Sequence, residues 1–247
     1  MLLEIRDVRK SFGGLTAVAG VSMTLHKGAV VSIIGPNGAG KTTLFNLISG
    51  AIRPDRGKIF FKGVDITGMK PHELCRRGLA RSFQVTNIFQ HLTVFENIRL
   101  AAQGRMRGLG LFISVGRWRE PYKEAERVLS RLGIWEYRHE LAGNLSHGNQ
   151  RHLEIGLALA TRPELLLLDE PTAGMSPEET RAMIDLLKDI RKDVTLVLIE
   201  HDLEVVFEVS DQVTVLHQGR ILAQGPPDAV KNNPEVQAAY LGEPVNA

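Results

Sequence analysis

The chain has 247 residues, enough for one large globular domain that buries about three quarters of its extended surface on folding. Hydrophobic residues make up 43% and charged residues 23%, which excludes disordered, collagen-like and disulfide-scaffold proteins. The 30 Lys and Arg nearly balance the 28 Asp and Glu, so bulk charge gives no reason to expect nucleic-acid binding. Cys75 is the only cysteine, which excludes an internal disulfide and a cysteine-rich metal site and makes the cytosol the default compartment.

Neither an export signal nor a membrane span is expected. The first ten residues carry charges where a secretory signal would need an apolar stretch. The longest apolar stretches, Leu109–Val115 and Val194–Ile199, fall far short of the roughly 18 to 20 residues that span a bilayer.

The N-terminal part of the chain predicts strands followed by a glycine loop and a helix. Leu2–Val8 and Val18–Leu25 alternate apolar with polar side chains, which favours two half-exposed strands. Ala29–Ile34 is a compact apolar run, typical of a strand buried on both faces. Lys41–Ser49 then predicts a helix that Gly50 ends.

The middle of the chain predicts a hairpin and then helices. Lys58–Phe61 and Val64–Ile66 flank Lys62-Gly63 as in a hairpin. Thr93–Glu96 matches a capping box that opens a helix toward Ala102. Gly104–Pro121 is rich in glycine and arginine and predicts a loop or irregular insertion, either solvated or in contact with lipid headgroups or partner loops.

The remaining elements alternate between helix and buried strand. Helices are predicted at Tyr122–Arg131, at Asn149–Thr161 and from Ser176 onward, and buried strands at Leu165–Leu168 and Val194–Ile199. Apolar strands that alternate with helices predict a parallel α/β sheet, whose ligands lie at the carboxyl ends of the strands.

Residues 35–42 fit the phosphate-binding pattern G-x-x-x-x-G-K-[ST] in full, between a predicted strand and a predicted helix. In this pattern the backbone amides of the loop bind phosphate oxygens, the lysine reaches the β and γ phosphates, and the following hydroxyl binds Mg²⁺. We therefore expect a nucleoside triphosphate with Mg²⁺, and a nucleotide site that comprises Gly35, Pro36, Asn37, Gly38, Ala39, Gly40, Lys41, Thr42 and Thr43; the family resemblance described below implies that the nucleotide is ATP.

Asp169 and Glu170 follow the apolar run Leu165–Leu168 and complete such a site. A buried strand can aim Asp169 at the Mg²⁺ shell and Glu170 at an attacking water. The same pattern alone would fit an ordinary core strand and its turn, but the phosphate loop favours the catalytic interpretation.

Leu145–Arg151 resembles the signature segment of ATP-binding-cassette (ABC) ATPases, and the resemblance covers essentially the whole chain. It implies a P-loop NTPase fold with a RecA-like parallel sheet core, an antiparallel β subdomain and a helical signature subdomain over about 90–160 of a single 1–247 domain. Three more residues match in order: Phe12 resembles the aromatic that stacks on adenine, Gln84 the coupling-loop glutamine near Mg²⁺, and His201 the switch histidine. Each alone would more often be a packing, surface or turn residue.

The resemblance further implies that the chain works as one of a pair. Ser146 and Gly148 stand at a predicted helix start, where free amides can meet a γ-phosphate presented by another subunit. A two-fold dimer, or a pair with a related chain, would hold two composite sites that close on ATP and open after hydrolysis. Glu170 would act on water, with Lys41 and His201 at the phosphates.

Three positions depart from the family pattern: His147 and Asn149 replace glycine and glutamine of the signature, and Ser176 stands where an aspartate is common. We expect Ser176 chiefly to cap the following helix. Residues 173–177 and 239–242 resemble the ATP-binding subunits of branched-chain and hydrophobic amino-acid importers. This implies permease partners, indirectly a substrate-binding protein, and a peripheral position on the cytoplasmic face of the membrane, with no nucleic acid.

Other assignments stay open at this point. ATPases of urea-type importers and lipopolysaccharide exporters have similar endings. A soluble cassette ATPase of DNA repair or translation would more often have paired cassettes or long coiled coils, and the sequence has no sustained heptads. A P-loop kinase or GTPase is disfavoured because the guanine-binding Asn-Lys-x-Asp motif is absent from the sequence.

Overall fold

The computed structural model describes residues 1–82, 88–104 and 115–241. In chain order the strands and helices are β1 (Leu3–Phe12), β2 (Leu15–Leu25), β3 (Val30–Ile34), α1 (Lys41–Ile48), β4 (Arg56–Phe61), β5 (Val64–Asp65), α2 (Pro71–Arg77), β6 (Leu79–Arg81), α3 (Val94–Gln103), α4 (Val115–Arg131), α5 (His147–Leu159), β7 (Leu165–Asp169), α6 (Pro177–Ile190), β8 (Thr195–Ile199), α7 (Leu203–Val209), β9 (Gln212–His217), β10 (Arg220–Gly225), α8 (Pro227–Lys231) and α9 (Pro234–Leu241). Short 3-10 helices cover Trp135–Tyr137 and Ala142–Asn144.

Within the described residues the strands form two sheets. The smaller is antiparallel with the order β2-β1-β4-β5, as the alternating N-terminal strands predicted. The larger has the order β10-β9-β3-β8-β7-β6, and only β10 runs antiparallel to its neighbour. The predicted parallel core of β3, β7 and β8 is confirmed, and β6, β9 and β10 extend it.

The central strands are apolar throughout because both faces of the larger sheet are covered. In β7, Leu165 and Leu167 pack into the core that faces α1 and the antiparallel sheet. Leu166 and Leu168 belong to the core on the other face, together with residues of α3, α4, α5 and α6. This alternation with a period of two leaves no polar face, so the carboxyl ends of the strands carry the polar residues.

The helical part departs from the sequence prediction at one point. Residues 115–121 are helical, whereas the pattern predicted a loop through Pro121; residues 105–114 lie outside the described part of the chain. A proline inside a helix costs about 3 kcal/mol, but contacts on both sides offset this. Glu120 forms an ion pair with Arg162 at 2.7 Å, and Ala125 and Val128 are fully buried in the next turns.

Helices α3, α4 and α5 pack on one another, within the range where a helical subdomain over about 90–160 was predicted. The exact extent of that subdomain stays a prediction. In the described part of the chain, the helices are too short or too polar to span a lipid bilayer.

Candidate nucleotide site

The phosphate loop connects β3 to α1, and close backbone packing fixes its shape. Gly35 has φ +149°, and a side chain there would collide with the carbonyl oxygen of Leu216 on β9. Gly40 has φ +99°, and a side chain there would collide with the carbonyl oxygen of Ala17 on β2. Only glycine fits either position, so these two strands hold the loop between them.

The N-terminus of α1 is available to an anion. Its cap residue is Gly40, in the left-handed region, and no described side chain caps the helix. The first amides of a helix lack internal partners and, with the helix dipole, attract negative charge. The helix therefore begins as a phosphate-binding helix requires.

Lys41 lies across this loop. Its Nζ donates to the carbonyl oxygens of Gly35 at 2.6 Å and Pro36 at 3.0 Å. Burial lowers the pKa of Lys41, and the carboxylates of Glu170 and Asp169 act in the opposite direction. Lys41 follows the loop after β3, and the two acids stand at the carboxyl end of β7 in the same parallel sheet. The sequence predicted a single site from these two separate motifs.

Asp169, the last residue of β7, is 2% exposed and binds an arginine. Arg81 Nη2 lies 3.1 Å from Asp169 Oδ2, and Arg81 also donates to Asn46 on α1 and to Ser49, the C-cap of that helix. The guanidinium lies 4.8 Å from the centre of the Phe45 ring. Burial raises the pKa of Asp169 above its ordinary value, and Arg81 opposes that rise. Arg81 thereby links the metal-ligand candidate to the helix of the phosphate loop.

Glu170 sits at the turn that follows β7 and has a left-handed backbone with φ +47°. Its N–H donates to the carbonyl of Ile199 at 2.8 Å, and its own carbonyl accepts from Arg151 Nη2 at 3.1 Å. Non-glycine residues in this region cost about 1 to 3 kcal/mol and persist where their surroundings hold them. The side chain remains 30% exposed and accessible to water.

His201 follows β8 and lies beside Glu170. Its Nδ1 is 3.8 Å from Glu170 Oε1, and its side chain is 66% exposed. The structure therefore brings the switch-histidine candidate to the same edge of the sheet as the candidate base. The parallel pairing of β7 with β8 causes this, because Asp169 is in register with Ile199.

Phe12 ends β1 and is 51% exposed, with Lys10 Nζ 5.5 Å from the centre of its ring. An exposed aromatic face suits a stacking role better than a packing role. Gln84 lies outside the described residues, so its assignment stays a prediction.

Ser146 and Gly148 stand at the start of α5, as predicted. Ser146 is the N-cap, and its Oγ accepts from the amide of Asn149. The amide of Gly148 donates to Glu179 Oε1 of α6 at 3.2 Å. Among the described residues these contacts run within the start of α5 and to α6.

Ser176 forms the predicted cap of α6. Its hydroxyl accepts from the amide of Glu179 at 3.2 Å, and Glu179 Oε2 accepts from the amide of Ser176 at 3.0 Å. Because Glu179 also binds Gly148, one carboxylate links the loop after the catalytic strand to the signature segment. The sequence indicated the cap but gave no sign of this second bond.

The donor set suits Mg²⁺. Thr42 would supply a hydroxyl oxygen and Asp169 a carboxylate oxygen, the hard ligands that Mg²⁺ prefers alongside water and phosphate. No cluster of three or more His, Cys, Asp or Glu that could hold a metal ion by itself occurs in the described ranges.

Arg81 and Arg151 are the site residues that sequence reasoning missed. Arg81 ends a three-residue strand, too short for a periodic pattern, and finds Asp169 across 88 positions of sequence. Arg151 is the last residue of the signature segment, so its proximity to the site could have been expected, but its bond to the Glu170 carbonyl could not.

Comparison with known proteins agrees with this geometry. The family described as "ABC transporter" matches residues 18–173, and the family described as "Branched-chain amino acid ATP-binding cassette transporter" matches residues 220–246. The chain is 41% identical over 251 residues to the high-affinity branched-chain amino acid transport ATP-binding protein LivG of Escherichia coli (strain K12), covering 98% of each.

Solved structures give the same result. The ADP conformation of MJ1267, an ATP-binding cassette of an ABC transporter, aligns with TM-score 0.86 and 32% identity over 98% of this chain and 99% of that one. The dimeric structure of MJ0796, a bacterial ABC transporter cassette, aligns with TM-score 0.78 and 25% identity, covering 92% and 99%.

Proposed function

We propose, for a chain that belongs to the ATP-binding family of ABC transporters, that the ATP it hydrolyses drives the uptake of branched-chain or other hydrophobic amino acids. The chain is the ATPase subunit, since the matched family powers transport by hydrolysing ATP. The amino-acid cargo is supported by the match of residues 220–246 to a branched-chain amino acid cassette family and by the LivG name.

The single observation that carries the catalytic proposal is the position of Lys41, Asp169 and Glu170 at the carboxyl ends of β3 and β7, two strands of one parallel sheet with β8 between them. Lys41 and the loop amides 35–43 neutralise charge on the transferred phosphoryl group. Glu170 orients or deprotonates the attacking water, and His201 beside it contacts the γ-phosphate region. Thr42, Asp169 and Gln84 would hold Mg²⁺, which would supply positive charge to stabilise the transferred phosphoryl group.

Two chains share each nucleotide in this proposal. Phe12 stacks on the adenine of its own chain's ATP, and Ser146 with the amide of Gly148 receives the γ-phosphate held by the partner chain. The dimeric structure of the MJ0796 cassette supports such a pairing. ATP favours the closed dimer because it binds both chains only in that state.

The partner of the dimer is a pair of permease subunits, with a substrate-binding protein acting on them, at the cytoplasmic face of the membrane. A groove of about 330 Å³ with mainly apolar walls supports a docking position for a permease segment. Ser82 lies in its wall, and Gln84 is two residues further along the sequence.

The test is ATP hydrolysis by the purified full-length chain at several protein concentrations. The rate per chain should fall on dilution, and Ser146→Ala should lower it, whereas Ser130→Ala on the exposed side of α4 should not. Glu170→Gln should bind ATP, lose turnover and accumulate the dimer, while Lys41→Ala should weaken nucleotide binding. A rate per chain that is unchanged by dilution and by loss of Ser146 would contradict the shared site.

The cargo is tested separately. The chain should co-purify with its permease subunits, and vesicles that contain the complex and its binding protein should take up radiolabelled leucine when ATP is supplied. Uptake of urea, or outward movement of a lipid-linked saccharide, would refute the amino-acid cargo and leave the proposed mechanism of ATP hydrolysis unaffected.

A further inference from the structure

Glu200 is a fully buried acid that the mechanism above does not use. It stands between β8 and His201. Its Oε1 accepts from the amide of Thr172 at 3.0 Å and from the Thr172 hydroxyl at 2.6 Å. Its Oε2 accepts from the amide of His201 at 3.2 Å. Three hydrogen bonds from two residues therefore surround one carboxylate.

The two loops that Glu200 joins both carry candidate catalytic groups. The Glu170 loop, residues 170–172, leaves β7, and the His201 loop, residues 200–202, leaves β8. A buried carboxylate is costly unless it is hydrogen-bonded, and an apolar side chain would pack here at lower cost. Its two bonds from Thr172 tie one loop to the other, and the third, from the amide of His201, holds the carboxylate within its own loop.

The Glu170 loop needs such a tie because its backbone is strained. Glu170 has φ +47°, and its amide is held by the carbonyl of Ile199, the residue just before Glu200. The Glu200 carboxylate then holds Thr172, two residues further on. The end of β8 thus anchors the Glu170 loop at both ends and fixes where its side chain lies relative to His201.

We propose that Glu200 is a positioning residue for ATP hydrolysis, whose buried carboxylate locks the Glu170 loop to the His201 loop. It does not touch nucleotide; it acts through Glu170 and so rests on the role proposed for that residue. When the lock is intact, Glu170 Oε1 and His201 Nδ1 stay near their 3.8 Å separation. When it is lost, the two groups move independently.

The experiment is the Glu200→Gln variant of the full-length chain. Glutamine keeps the shape but has one oxygen, so its NH₂ group must face either Thr172 or the amide of His201, both of which are donors. We expect kcat to fall by about tenfold or more, since misplacing a catalytic group by 1 Å can cost on the order of 100-fold. KM and the affinity for a non-hydrolysable ATP analogue should stay unchanged. Glu204→Gln, an exposed acid on α7, is the matched control.

Two substitutions of Thr172 test the same hydrogen bonds from the Glu170 loop. Thr172→Val removes the hydroxyl donor and should lower kcat in the same way, whereas Thr172→Ser keeps it and should restore turnover. A purely structural role would lower the melting temperature without separating kcat from KM. If Glu200→Gln keeps full kcat, or if nucleotide affinity falls in step with kcat, the proposal is wrong.

The double variant Glu170→Gln/Glu200→Gln separates this proposal from the one on which it rests. Single-turnover rates for the double variant should equal those of Glu170→Gln alone, because Glu200 acts through Glu170. A further slowing in the double variant would overturn the positioning role. Normal turnover by Glu170→Gln alone would instead refute the role of Glu170 itself.

Discussion

Replacing Arg81 with methionine tests how strongly the interior of the site depends on one ion pair. Arg81 is 14% exposed and Asp169 2%, at a separation of 3.1 Å. At an effective dielectric constant of about 20, unit charges at this distance attract by about 5 kcal/mol. Removing one partner of a buried pair costs about 3 to 5 kcal/mol, because the other charge stays buried. We therefore expect Arg81→Met to lower the free energy of unfolding by about 3 to 5 kcal/mol at pH 8.

The pH dependence gives the prediction its sign. Burial already raises the pKa of Asp169, and loss of Arg81 raises it further. A carboxyl whose pKa is higher in the folded state binds protons better there, so the stability this brings is lost as pH rises through the folded pKa. The loss of unfolding free energy caused by Arg81→Met should therefore be larger at pH 8 than at pH 5.

The assay is urea unfolding followed by circular dichroism, without nucleotide or Mg²⁺. Arg181→Met removes an exposed ion pair with Glu208 and should leave stability almost unchanged. In an Asp169→Asn background the effect of Arg81→Met should shrink, because no buried charge remains. If Arg81→Met is as stable as the Arg181→Met control at pH 8, or if its loss of unfolding free energy does not depend on pH, the Arg81–Asp169 pair does not contribute the stability expected of it.

Three further outcomes are expected. Ser176→Ala should lower stability by about 1 kcal/mol through loss of the helix cap, and unchanged melting with lost ATP cooperativity would contradict this. Gly35→Ala should abolish nucleotide binding or folding because the new side chain would collide with backbone, whereas Gly38→Ala has open space around it and should cost only backbone strain. An equal decrease in melting temperature for the two variants would refute the packing argument. Glu179→Gln should strengthen the ATP-induced dimer of a hydrolysis-deficient chain, because the Glu179 carboxylate bound to Gly148 would repel a γ-phosphate at that amide. A smaller dimer fraction in analytical ultracentrifugation would contradict this.

The phosphate loop, the two acids at the end of β7 and the caps of α3 and α6 were predictable because neighbouring residues determine each of them. A glycine pattern between a strand and a helix, an apolar run that ends in two acids, or a Ser three residues before Glu specifies local backbone geometry directly. The apolar strands likewise predicted a parallel sheet with both faces covered.

Tertiary structure alone decided which side chains meet across the fold. The sheet order places β8 beside β7, and this brings His201 to Glu170 and lets Glu200 reach Thr172. The helix through Pro121 exists because packing outweighs a local preference. Arg81 lies on a strand of three residues whose sequence carries no periodic signal. Such contacts depend on the order in which distant segments pack, and that order is set by the whole core and not by any one stretch of sequence.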